Sequence, residues 1–178
     1  MSPEDERKLF GSISKSRSPA LLPLFILSID GGFRASEVRA LRRRDLSLVW
    51  KNSVIERGAV TIPKSKTEAG TGRLIPLTKR ACAVLTLWLA RFPAASEQSF
   101  VFSRHSVGLA GDNRAPLFYH VDLDRPIGEW KKAWAGCLGK AGTRYRWHDL
   151  RHTCYVLAND GQTVDSWPTQ IGNKSSVT

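Results

Sequence analysis

At 178 residues the chain has room for one domain with a real hydrophobic core, and its apolar and charged fractions, 42% and 24%, are ordinary for a globular protein. Its charge is not ordinary: 27 Lys+Arg against 16 Asp+Glu gives +11, which points to a polyanionic partner, nucleic acid before acidic membrane. Three widely spaced cysteines without a Cys-x-x-Cys pair (Cys82, Cys137, Cys154) exclude a disulfide framework and a zinc site and suit a cytoplasmic protein with reduced thiols, and the longest apolar run, Leu21 to Ile29, is too short to span a bilayer.

Ser2-Pro3-Glu4-Asp5-Glu6 is a helix start, with a capping serine, proline at the first helical position and acids at the positive end of the dipole. It is no signal peptide. Ser18-Pro19 opens a second helix, largely apolar through Ile29, and Asp30-Gly31-Gly32 closes it. A short helix follows over Phe33 to Leu41, with Val38 and Leu41 buried. Arg34 comes directly after the double glycine, where a turn can aim it inward, and Glu37 three residues on can hold the guanidinium. A surface Arg–Glu pair worth well under ~1 kcal/mol fits the same spacing. Arg39, Arg42, Arg43 and Arg44 are expected to face solvent or a polyanion.

Leu46 to Leu77 reads as a small antiparallel sheet. Its last two strands, Ala59 to Ile62 and Leu74 to Leu77, flank a basic, glycine-containing hairpin loop that carries Lys64, Lys66 and Arg73. Such a loop can reach over a phosphate, or simply solubilise the surface. Thr78 caps a helix running to about Phe92, with Cys82, Leu85 and Leu89 inward. Residues 103–125, rich in Gly, Asn, Asp and Pro, are expected to be a long loop. Pro126 is expected to start a helix carrying Ile127, Trp130, Trp134 and Leu138, with the tryptophans in the core. The class is α+β, mainly α-helical, with a small antiparallel β-sheet on one side.

Trp147-His148-Asp149-Leu150-Arg151-His152-Thr153 then puts an imidazole and a guanidinium on one helix face, a combination suited to a phosphate. Alone, the stretch reads first as an ordinary amphipathic helix burying Leu150, Cys154 and Leu157, with its polar residues solvated. A further helix is expected over Val164 to Ile171.

Four motifs in fixed order resemble those of the tyrosine recombinases, the phage integrases. Gly32-Phe33-Arg34-Ala35-Ser36-Glu37-Val38, with Leu41 and Arg44-Asp45-Leu46, resembles the first arginine box. Pro63-Lys64-Ser65-Lys66-Thr67 with Arg73-Leu74-Ile75-Pro76-Leu77 resembles the lysine-bearing hairpin. His148-Asp149-Leu150-Arg151-His152-Thr153 resembles the His-x-x-Arg box, and Ile171-Gly172-Asn173-Lys174-Ser175 the Gly-His-x-Ser box. The resemblance implies a catalytic-domain fold over 1–178. It implies strand exchange on double-stranded DNA through a 3′-phosphotyrosyl link, with no metal and no nucleotide cofactor. Arg34 and Arg151 would bind the non-bridging oxygens. Lys66 would protonate the leaving 5′-oxygen, His148 would transfer a proton or hold the phosphate, and Glu37 would orient Arg34. Arg44, Lys64, Arg73, Arg146 and Lys174 are expected on the DNA.

The chain departs from the family pattern twice. Asn173 stands where the family has His or Trp, so it can donate a hydrogen bond but carries no charge. The nucleophilic tyrosine is expected just after that box, yet the sequence ends at Thr178, and Tyr119, Tyr145 and Tyr155 lie in the wrong contexts. The first arginine box also starts too early for an N-terminal DNA-clamping domain. The expectation is a catalytic domain truncated at its C-terminus that binds DNA without cleaving it. The family works as a tetramer on DNA, whereas the isolated chain is expected to be a monomer. A degenerate DNA-binding module and a non-DNA phosphoryl-transfer enzyme remain as alternatives.

Overall fold

The structure, a computed structural model, describes residues 1–65, 70–110 and 115–159, and the side chains of 109, 110, 115, 116 and 155–159 lie outside that description. Helix α1, Pro3–Ser14, begins where the acids and proline place it, and the Ser2 hydroxyl accepts the Asp5 N–H at 3.1 Å. Helix α2, Leu21–Gly31, starts two residues after Pro19, with no side-chain cap. It is apolar all round, and such a helix must be buried. Leu21, Leu24, Phe25, Ile26 and Ile29 are wholly enclosed. Gly32 ends it in the left-handed region at φ 61°, which glycine adopts without Cβ strain. Helix α3, Ala35–Ala40, follows at once and buries Val38.

Strands β1 (Leu46–Lys51), β2 (Val54–Thr61) and β3 (Leu74–Pro76) form an antiparallel sheet in that order. Asn52 and Ser53, both at positive φ, make the two-residue turn of the first hairpin. The register slips between Val49 and Trp50, leaving Glu56 as the extra residue of a bulge. That bulge is why Ile55 and Val60, five apart, both point into the core. Helix α4, Lys79–Leu89, covers β2 and packs on α2. The Thr78 hydroxyl caps it at Ala81 N–H, 3.0 Å, and Cys82, Leu85 and Leu89 are buried as the spacing requires.

Residues 103–125 are not a loop. Strand β4 (Ser103–Ala110) pairs with β5 (Ala115–Pro126) in a second, two-stranded antiparallel sheet. Phe118 turns inward onto Trp88, Phe92 and His105, with ring centroids 5.0–5.8 Å apart. Helix α5 accordingly starts later than Pro126. It spans Lys131–Ala141, with Trp134 buried and Trp130 just before its first turn. Helix α6, Asp149–Asn159, packs on α2 and buries Leu150 and Thr153. The helix expected over Val164 to Ile171 lies outside the described residues. No helix among the described residues is long and apolar enough to cross a membrane.

One buried ionic cluster ties three helices together. Asp30, at the end of α2, accepts the Thr78 hydroxyl at 2.5 Å and Arg80 Nε at 2.8 Å to each oxygen. Arg80 reaches on to Glu6 of α1 at 2.6 Å. Burial opposes the Arg80 charge, yet Asp30 and Glu6 outweigh it and hold the guanidinium protonated more firmly than usual.

Candidate functional site

The site is built at the α2–α3 turn. Phe33 is buried, which fixes the backbone and turns Arg34 the other way, half-buried. Glu37, on the first turn of α3, is 1% exposed. A carboxylate that deep needs partners. The Arg34 N–H donates to Oε2 at 2.9 Å, and Arg34 Nη1 to Oε1 at 2.7 Å. Ser65 Oγ donates to Oε1 at 2.6 Å and accepts from Arg34 Nη1 at 2.8 Å. Arg73 Nη2 donates to Oε2 at 3.2 Å, and Arg151 Nη1 stands 3.9 Å from the same oxygen.

Three guanidiniums from three segments therefore meet on one carboxylate. Burial alone would raise the Glu37 carboxyl. Hydrogen bonds from the Arg34 backbone, Ser65 and the Arg34 guanidinium, together with the Arg73 charge, outweigh it and hold the group below the usual carboxylate range.

The supporting geometry is local. Gly32 faces α6: a Cβ there would sit 3.5 Å from Cys154 Sγ and 3.7 Å from Arg151 Cγ. Cys154 Sγ donates to the Asp30 carbonyl at 3.1 Å, pinning α6 against the end of α2. The hairpin stem is closed by Ile62 N–H to the Arg73 carbonyl (2.9 Å), Gly72 N–H to the Ile62 carbonyl (2.8 Å) and Ser65 N–H to Thr71 Oγ1 (3.1 Å). Trp147 rests edge-on against Trp130 and Trp134, with centroids 5.2 and 5.0 Å away, and so braces the entry to α6.

The residues singled out from the sequence divide into three groups. Arg34, Glu37, Arg73 and Arg151 are brought together. His148, three residues before Arg151, is exposed at the start of α6 with its ring 5.2 Å from that of His152. Lys66, Asn173 and Lys174 lie outside the described residues.

Among the expected outer contacts, Lys64 is exposed on the hairpin stem, and Arg44 is exposed with Nη1 2.7 Å from Gln98 Oε1. Arg146 is exposed and paired with Asp149 at 3.0 Å. The expectation that Arg43 faces outward is corrected. Arg43 Nη2 donates to the carbonyls of Leu89, the last residue of α4, and of Phe92 in the turn after it, at 3.1 and 2.8 Å. Arg42 lies over the Phe100 ring at 4.1 Å.

Ser65 was not singled out as a site residue. It stands between Lys64 and Lys66, and its partner is 28 positions earlier, a contact that no local pattern marks. A cavity of about 540 Å³ lies next to the cluster, not in it. Ala35, Ser36, Trp130 and Trp147 line it, and none of the three clustered arginines does.

Among the described residues no group of three or more His, Cys, Asp or Glu side chains could hold a metal ion. The arrangement can bind an anion that has at least two oxygens. No curated protein matches the chain. A model of the phage integrase family matches residues 1–166, which takes in the α2–α3 turn, the hairpin and α6. The protein belongs to the phage integrase family, whose members carry out site-specific DNA recombination as tyrosine recombinases.

Proposed function

We propose that this chain is a catalytic domain of a site-specific tyrosine recombinase and that the Glu37-centred cluster grips the phosphodiester to be exchanged. The observation that carries the reading is the convergence of Arg34, Arg73 and Arg151 on a single carboxylate. One negative charge against three positive leaves the cluster doubly cationic. A phosphodiester brings one negative charge and gathers a second as a nucleophile adds.

Arg34 and Arg151 bind the non-bridging oxygens, and preorganised charge of this kind stabilises the transition state. Each charge-assisted bond contributes roughly 1.5–3 kcal/mol net. Glu37 fixes Arg34. His148, exposed in the turn immediately before α6, exchanges a proton with the phosphate or holds it. Lys66, next in the chain after Ser65, protonates the leaving 5′-oxygen, and Asn173 donates to a phosphate oxygen. Lys64, Arg44, Arg146 and Lys174 face the duplex.

None of the three tyrosines is assigned the attack. Tyr145 donates to Asp5 Oδ2 at 2.7 Å, and Tyr119 lies on β5. A nicked suicide duplex is expected to leave no covalent adduct on Tyr119, Tyr145 or Tyr155, and an adduct on any of them would overturn that assignment. Gripping DNA without cutting it is therefore the activity proposed for these 178 residues.

The test is binding of a fluorescent duplex across a salt series. The logarithm of affinity should fall linearly and steeply with the logarithm of salt. Arg34→Ala and Arg151→Ala should each weaken binding roughly ten- to a hundredfold with the fold intact, since each removes one charge-assisted contact. Affinity that ignores salt, or unfolding of both variants, would defeat the reading.

A further inference from the structure

We propose that Arg73 is a positioning residue, not a DNA contact: acting through Glu37, it couples the seating of the β2–β3 hairpin to the aim of Arg34. This rests on the phosphate-site reading above. The hairpin reaches the site from both of its stems. Ser65, on the outgoing stem, shares Glu37 Oε1 with Arg34 and is itself hydrogen-bonded to Arg34 Nη1. Arg73, on the returning stem, holds Oε2, the oxygen that also takes the Arg34 N–H. The stems are tied to each other by Ile62, Gly72, Ser65 and Thr71. The carboxylate is thus clamped between the hairpin and the residue that meets the phosphate.

The geometry argues against a direct role on DNA for Arg73. Its side chain is 25% exposed and its Nε is buried. Its bonded Nη2 is directed at a carboxylate that is only 1% exposed. The Arg73 backbone is held in the stem through its carbonyl, which fixes the point from which the guanidinium reaches Glu37. A side chain so held transmits position. A misplaced hairpin loosens Glu37, and a loosened Glu37 frees Arg34 to rotate.

A double-mutant cycle on duplex affinity tests this in the full chain, with a mixed-sequence fluorescent duplex as probe. In the wild-type background Arg73→Ala should weaken binding roughly tenfold, the scale of one lost charge-assisted contact. In the Arg34→Ala background the same change should cost less than about twofold, because the group it positions is gone. Full additivity would overturn the proposal and make Arg73 an independent phosphate contact.

A second readout needs no DNA. The Arg34 Nε–H signal in a 15N NMR spectrum should move in Arg73→Ala and in Ser65→Ala, return partway in Arg73→Lys, and stay in place in Lys64→Ala. An Arg34 signal unmoved by Arg73→Ala and Ser65→Ala would also overturn it, and Ser65→Ala with Arg73→Lys keeps the test alive if Arg73→Ala does not fold. If the wild-type chain binds no duplex at low salt while the Arg34 signal responds as expected, the DNA reading fails and the coupling stands.

Discussion

Two buried carboxylates stand seven residues apart on either side of the Gly31-Gly32 turn, and they are used in opposite ways. Asp30 meets one guanidinium, from Arg80, and that guanidinium also serves Glu6, so two acids surround one base. Glu37 meets three guanidiniums, so three bases surround one acid. The chemistry of each pair is the same; only the surplus differs. Around Asp30 the acids are in excess and the fork of Arg80 is spent on them, so an anion finds nothing there. Around Glu37 the guanidiniums outnumber the acid, and the proposed phosphate grip rests on that surplus. Burial and ion pairing alone do not mark a site, but an unbalanced cluster does.

The sharpest way to test the contrast is to remove the balanced carboxylate. Asp30→Ala leaves Arg80 and Thr78 without their buried partner, a change that costs 3–5 kcal/mol when both partners are enclosed. The Arg80 side chain is 44% exposed and can rehydrate, so the expected loss is at the low end, about 3 kcal/mol by urea denaturation. Duplex affinity of the folded protein should be unchanged. A comparable loss of affinity would mean that the two clusters act as one.

Glu37→Gln tests the other half and should cost less, about 1.5 kcal/mol at neutral pH, since the amide keeps an acceptor oxygen. Its signature is in the acid range. The folded Glu37 carboxyl sits below its ordinary value of 4.5, so between the two values the unfolded chain binds more protons. That contribution to stability is complete above pH 4.5 and drains away as pH falls through the lower folded value. The gap between wild type and Glu37→Gln in urea should therefore narrow as the solution is acidified over that window. A gap that holds constant with pH would show that the charge of Glu37 is not what the three arginines stabilise.

The sequence carried one half of this contrast openly and concealed the other. The caps at Ser2 and Thr78, the glycine stop at Gly32 and the inward spacing of Cys82, Leu85 and Leu89 are local signals, and local signals survive into the fold. Arg34, Glu37 and Arg151 were visible through spacing and through the ordered motifs. The role of Ser65 was not visible, because it depends on a contact across 28 positions that no periodicity encodes. The β4–β5 hairpin was hidden for another reason. Its register shifts twice and His120 sits at positive φ, so the two-residue alternation that betrays a strand is broken. Arg43 misled because a cationic run suggests a charged surface, whereas its partners are the carbonyls of Leu89 and Phe92 at and just beyond the end of α4.

The smallest effect should come from Arg80→Lys, which preserves charge and discards geometry. Arg80 presents Nε and Nη2 side by side to the two Asp30 oxygens while Nη1 holds Glu6. A lysine ammonium is a point charge and cannot span both acids in that plane. The substitution should cost about 1 kcal/mol, near the net value of one hydrogen bond, read as a shift of the urea midpoint with an unchanged slope. Because Asp30 keeps a cation and the Thr78 hydroxyl, the α2–α4 junction should persist and the neighbouring arginine cluster should not feel the change. Arg34→Lys is the matching experiment on the other side. If that guanidinium meets the phosphate as proposed, the loss should appear in duplex affinity more than in the urea midpoint. If both lysine variants shift the same observable, the division between a spent guanidinium and an available one is wrong.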